Sequence, residues 1–140
     1  MTVLEVKIHF SSNHEKLQIL SQTVQFLGKT ISGPFTIPSG IVATAVPIIE
    51  YLFRHVPEIG VMTTKSIGPV QRPGNREPIM TQYAPGCYMN AVGLTNPGAD
   101  EAARLFEQLE VPIDKFLLTS IFGGSIDEIV EVALKLAPYS

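Results

Sequence analysis

The chain has 140 residues, 45% of them hydrophobic, with 10 basic against 13 acidic side chains and a formal net charge of −3. That length fits one domain, and a compact chain of this size buries about 68–70% of the surface it exposes when unfolded. The mildly acidic balance has no basic block and argues against nucleic acid, no run approaches the roughly 18 apolar residues of a membrane span, and the single Cys excludes an internal disulfide framework. One Cys also fits a reducing cytoplasm, and the first residues lack the basic and apolar regions of a signal peptide. His9, His14 and His55 share no metal-ligand spacing, so no metal site is expected.

In chain order, residues 3–10 alternate apolar and polar side chains as a short strand would, and residues 15–20 are weakly helical. Residues 1–22 carry no visible chemistry and are read as a leader, with residues 23–140 as the folded part. Residues 24–31 predict a hairpin turning at Gly28-Lys29, of the kind that plugs the bottom of a barrel. Residues 33–40 predict a short apolar strand ending in a Pro38-Ser39-Gly40 turn. Thr44 is an N-cap candidate for a helix over 45–55, whose Ile48, Ile49, Leu52 and Phe53 form an apolar stripe. A second strand spans 59–66. Residues 68–88 then hold Gly68-Pro69, Arg72-Pro73-Gly74-Asn75, Pro78 and Pro85-Gly86. A loop this long without its own helix is usually functional or disordered.

A helix over 99–110 starts with Asp100 and Glu101, as the macrodipole prefers, and turns Leu105, Phe106 and Leu109 inward. Residues 116–122 make a third apolar strand. Gly123-Gly124-Ser125 caps a third helix over 126–136, with Ile129, Val130, Ala133 and Leu136 inward. Near-continuous apolar strands alternating with amphipathic helices mean an α/β fold with a covered parallel sheet. Three strands are few, since a (β/α)₈ barrel takes about 250 residues. The pattern calls for a fourth strand after Ser140, and the fold expected is the N-terminal portion of such a barrel, incomplete in this chain.

Lys65 closes an apolar strand, with Ser66 behind it and Gly68-Pro69 bending the chain away. That placement favours a ligand-facing cation suited to a reduced flavin or a carboxylate. Asn90 by itself reads equally well as a turn residue or a local cap. Ser39-Gly40 reads either as a plain strand–helix turn or as a place where glycine lets backbone N–H groups approach a ligand closely. Cys87 has no His nearby in sequence and is read as an ordinary thiol. Arg72 and Arg76 are read as solvated, and Gly123-Gly124-Ser125 as a tight turn in the absence of a Walker A pattern.

Together, Pro34-Phe35 leading to Ser39-Gly40, Thr64-Lys65-Ser66, Arg72-Pro73-Gly74-Asn75 and the segment Asn90-Ala91-Val92-Gly93-Leu94-Thr95-Asn96-Pro97-Gly98 resemble dihydroorotate dehydrogenase. The likeness covers roughly residue 24 onward and keeps the family's order. It implies an FMN-binding (β/α)₈ TIM barrel that oxidises dihydroorotate to orotate in pyrimidine biosynthesis. Carried onto this sequence, it implies FMN contacts from Ser39, Gly40, Lys65, Ser66 and Asn90. It implies substrate contacts from Lys65, Asn90, Val92, Gly93 and Leu94, the last three at the carboxylate end. Pro38 stands where relatives commonly have a small residue, so flavin contact there falls to its carbonyl or to Ser39 and Gly40.

The resemblance also implies a Cys or Ser base on a later loop, expected beyond Ser140, so that no catalytic residue is assigned within the chain. The 140 residues alone are therefore expected to be inactive. The short polar head favours the soluble, cytoplasmic class over the membrane-associated one. A homo-oligomer at full length and an electron-transfer subunit are the partners implied. Two alternatives stand beside it: a dihydropyrimidine dehydrogenase-like flavin barrel, and a non-catalytic half-barrel acting through its open sheet edge.

Overall fold

The computed structural model describes residues 23–41 and 45–139. The strand expected over 3–10, the weak helix over 15–20 and the Thr44 cap lie outside the described residues. In chain order the elements are β1 (Thr23–Phe26), β2 (Lys29–Ser32), β3 (Phe35–Ile37), α1 (Val46–His55) and β4 (Ile59–Thr63). They continue as β5 (Met80–Ala84), β6 (Cys87–Asn90), α2 (Ala99–Glu107), β7 (Phe116–Leu118) and α3 (Ile126–Leu136), with a short 3-10 turn at Ala137–Tyr139.

The three strands expected from their apolar runs pair in parallel, in the order β3-β4-β7. Central β4 buries Ile59, Gly60, Val61 and Met62, which is why it reads as a continuous apolar run and not as an alternating one. Helix α1 covers one face, where Ile49 and Phe53 meet Ile59, Met62 and Leu117. Its stripe is narrower than expected: Leu52 only flanks that cluster, and Ile48 is 48% exposed. In a second cluster, Ala99, Ala102 and Phe106 of α2 pack with Ile67 and with Val132 and Leu136 of α3. Leu105 and Leu109 sit at the margin of that cluster.

Helix α3 corrects the expected inward set. Val132 and Leu136 are buried, whereas Ile129 and Val130 are exposed. Ile126, Val130 and Leu134 recur every fourth residue and form a second apolar stripe that the described residues leave bare. Ser125 caps the helix as expected, its Oγ accepting from the Glu128 N–H. Asp100 Oδ1 accepts from Lys135 Nζ at 2.7 Å and links α2 to α3. That bond, and the ammonium charge behind it, lowers the Asp100 carboxyl from its ordinary value. Both partners are solvated, and the pair contributes little.

The β1–β2 hairpin turns at Leu27-Gly28, one residue earlier than expected. Both residues have positive φ, 49° and 80°, as a two-residue hairpin loop demands. Burial of Ile31 decides the register, because a one-residue slip would carry it to the other face. The hairpin lies under the N-terminal ends of β4 and β7. The Ser32 N–H donates to the Asp114 carbonyl at 2.8 Å, and the Phe26 ring meets Phe116 edge-on at 5.2 Å. Lys115, only 4% exposed, donates from Nζ to the carbonyls of Ser32 at 3.0 Å and Pro57 at 2.6 Å. Gly33 and Gly60 let the backbones at this end touch, since a Cβ on either would strike the other segment's main chain.

The Pro/Gly-rich stretch after β4 departs from its expected irregularity. It runs out and back as an antiparallel excursion, through the Arg72↔Asn96 bridge, the Asn75 N–H on the Val92 carbonyl and the Ala91 N–H on the Ile79 carbonyl. Strands β5 and β6 form its tip. No described helix is long and apolar enough to cross a membrane.

Candidate active site

The C-terminal ends of the three parallel strands gather polar side chains. Beyond β4, Thr64 is fully buried, its N–H donating to the Leu118 carbonyl at 2.9 Å and its Oγ1 accepting from the Ser120 N–H at 3.1 Å. The Ile67 N–H then donates to the Ser120 carbonyl. Lys65 is thus held between two anchored residues, and its side chain is half-buried. Ser66 Oγ lies 2.8 Å from Ser120 Oγ and 3.5 Å from Ser39 Oγ. One hydroxyl from each strand end therefore joins a row across the sheet. Ser39 and Ser66 were expected together; Ser120 was missed. Its signal was present, a Thr-Ser pair closing an apolar strand as Thr64 to Ser66 closes another.

Gly40 follows Ser39 with φ +92° and open space where a Cβ would stand, so backbone conformation and not crowding selects glycine there. Asn90 ends β6, opposite Met80, and is exposed. It is neither the turn residue nor the cap considered from sequence. Among the described residues no hydrogen bond joins it to Lys65.

The segment after Asn90 is held by its carbonyls. The Ala91 carbonyl accepts from Asn75 Nδ2 at 2.8 Å, the Val92 carbonyl from the Asn75 N–H at 3.0 Å, and the Leu94 carbonyl from Asn96 Nδ2 at 2.8 Å. Among the described residues nothing accepts from the N–H groups of Val92 or Gly93. Gly93 and Leu94 both have positive φ, 81° and 52°.

Asn96 joins the two walls. Buried to 6% exposure, it accepts on Oδ1 from the Gly68 N–H at 3.1 Å and the Gly98 N–H at 2.9 Å. Its backbone exchanges both bonds with Arg72. The chain three residues past Lys65 and the segment after Asn90 are therefore parts of one rigid connection. In sequence Asn96 looked only like the opening of a helix, because its partner Gly68 lies 28 residues away. Arg72 stacks its guanidinium 5.4 Å from the centre of the Phe122 ring, and Phe122 in turn packs on Gly68. Cys87 sits exposed at the tip of the β5–β6 hairpin, apart from the serine row. Among the described residues no three His, Cys, Asp or Glu side chains group as metal ligands.

Hydroxyls in a row beside a half-buried ammonium are donors of the kind that suits a polar, electron-rich ring with carbonyl acceptors.

The sequence model of the family described as dihydroorotate dehydrogenase matches residues 21–140. The chain is 30% identical over 115 residues to the catalytic subunit of dihydroorotate dehydrogenase B (NAD(+)) from Methanocaldococcus jannaschii, covering 80% of this chain and 37% of that protein. Identity to the Pyrococcus horikoshii protein of the same name is 33% over 115 residues, covering 82% and 36%. Dihydroorotate dehydrogenase A (fumarate) from Lactobacillus delbrueckii is 37% identical over 82 residues, covering 57% and 26%. The chain thus spans little more than a third of the length of the first two relatives. The crystal structure of a ligand-free dihydroorotate dehydrogenase from Eimeria tenella superposes with a TM-score of 0.65 at 16% identity, over 95% of this chain and 39% of that one. That likeness is one of fold.

Proposed function

The chain belongs to the dihydroorotate dehydrogenase family, and from that premise we propose that the full-length protein oxidises dihydroorotate to orotate with FMN as cofactor. Residues 23–140 are read as the N-terminal portion of a (β/α)₈ barrel and residues 1–22 as a leader. In such a barrel ligands meet the C-terminal strand ends, the end at which Ser39, Lys65 and Ser66 lie.

Each residue's part follows from its chemistry. Ser39, Gly40 and Ser66 hold FMN through hydroxyl and backbone groups, and Ser120 orients Ser66. Lys65 places an ammonium where a reduced flavin and a substrate carbonyl both gain from a cation. Asn90 offers a carboxamide, donor and acceptor at once, to the pyrimidine edge. The N–H groups of Val92, Gly93 and Leu94 face the substrate carboxylate. FMN, when bound, supplies the hydride acceptor. The base that removes a proton from the substrate is expected outside these 140 residues, which leaves this chain one wall of the site and no turnover by itself.

The observation that carries the reading is the Asn96 tie, since it holds the Lys65 arm and the Asn90–Leu94 segment in one body. Names of relatives as catalytic subunits support an additional electron-transfer subunit, beside a cytoplasmic homo-oligomer. The test is flavin reduction by dihydroorotate in the full-length protein. Lys65→Ala and Asn90→Ala are each expected to slow it about a hundredfold, as loss of a preorganised donor does elsewhere. No reduction by dihydroorotate in FMN-loaded protein, or activity on uracil or thymine instead, overturns the assignment.

A further inference from the structure

We infer that Asn75 is a positioning residue that presets the backbone N–H groups of Val92 and Gly93 for an anionic ligand, in this case the substrate carboxylate. The inference rests on the proposed reading of the site. In a trans peptide the N–H of one residue points opposite to the carbonyl of the residue before it, because the unit is planar. Whatever holds the Ala91 carbonyl therefore aims the Val92 N–H, and whatever holds the Val92 carbonyl aims the Gly93 N–H. Asn75 holds both, by its side-chain Nδ2 at 2.8 Å and its own N–H at 3.0 Å.

The two N–H groups consequently point away from Asn75, and no described group accepts from either. Consecutive N–H groups turned outward by a constrained backbone are a recurring means of binding anions. Gly93 lets the bracket close: a Cβ there would lie 2.8 Å from Asn75 Cγ and 2.9 Å from Asn75 N. Asn75 is itself exposed, so its side chain adds no core contact whose loss would unfold the protein. Hydrogen bonds to a charged partner are about twice as strong as neutral ones and depend on direction, so a loosened bracket is felt at the carboxylate first.

The experiment uses the FMN-loaded full-length protein, with rates expressed per bound flavin and orotate affinity read by calorimetry. Asn75→Ala removes the Nδ2 donor. Asn75→Asp removes it too, keeps the shape and adds a negative charge beside the anion. We expect the KM for dihydroorotate and the Kd for orotate to rise about tenfold in the first and further in the second, with kcat within twofold, the pattern of lost uniform binding. A purely structural bracket would loosen Asn90 and lower kcat instead. Constants within twofold of the parent, or a fall in kcat as large as the rise in KM, overturn the inference. Parent protein that neither binds orotate nor turns over dihydroorotate would instead overturn the reading beneath it.

Discussion

The two ends of the parallel sheet are made from similar residues and put to opposite uses. At the N-terminal end, Lys115 is buried and its ammonium is committed to the carbonyls of Ser32 and Pro57. At the C-terminal end, Lys65 is half-buried and shows no such commitment among the described residues. Asp114, although exposed, accepts from Ser32 at the first end, whereas Asn90 shows no side-chain hydrogen bond among the described residues. Gly33 and Gly60 close one end by backbone contact, and Gly40 leaves open space at the other. A lysine or a glycine therefore says little by type. Stability is concentrated where polar groups are paired, and binding capacity where they are left over.

Breaking the closed end should give the largest effect. Gly60→Ala forces a methyl into the main chain at Gly33, and overpacking of that kind costs about 3 kcal/mol. A denaturant melt showing less than about 1 kcal/mol would mean that the two backbones separate easily. Lys115→Met keeps the packed stem but orphans two carbonyls, and is expected to cost about 2 kcal/mol in the same measurement. At the open end, Ser120→Ala removes one bond of the hydroxyl row, with a stability loss of about 1 kcal/mol at most. Its larger consequence is a weaker hold on FMN, read by flavin titration of the full-length protein.

The smallest effect belongs to Ser32→Ala. The Ser32 hydroxyl donates to the Asp114 carboxylate and lowers that carboxyl from its ordinary 3.8. A depressed carboxyl contributes stability that is fully present above 3.8 and is lost as pH falls through the folded value. The parent should therefore exceed Ser32→Ala by about 0.5 kcal/mol near neutral pH, the solvated position discounting the bond. Melts of the two proteins should converge once the pH is below the lowered folded value. A gap that persists there would assign the effect to packing.

The comparison also explains what the sequence made legible. Strand β4 was readable because burial on both faces leaves an apolar run, and α3 because Ser125 announces its start. The hairpin was readable to within one residue, its turn hidden by Leu27 in a left-handed conformation that sequence assigns to glycine first. The inward face of α3 was misread because two apolar stripes lie on one helix, and only the neighbouring helix chooses between them. The excursion holding β5 and β6 looked irregular because its prolines interrupt the alternation by which strands are recognised.

The amino-acid order alone determined the succession of parallel strands and helices, the family likeness, and the candidates Ser39, Gly40, Lys65, Ser66, Asn90, Val92, Gly93 and Leu94. Such features are local, set by periodicity, by turn formers and by short motifs a few residues long. Only the tertiary structure decided that Ser120 joins Ser39 and Ser66, that Asn96 ties Gly68 to Leu94, and that Asn75 grips the carbonyls of Ala91 and Val92. These partners lie from 2 to 54 residues apart, counting Leu94 to Asn96 and Ser66 to Ser120. A hydrogen bond depends on where two atoms meet in space, and the chain's order carries no periodic trace of that meeting.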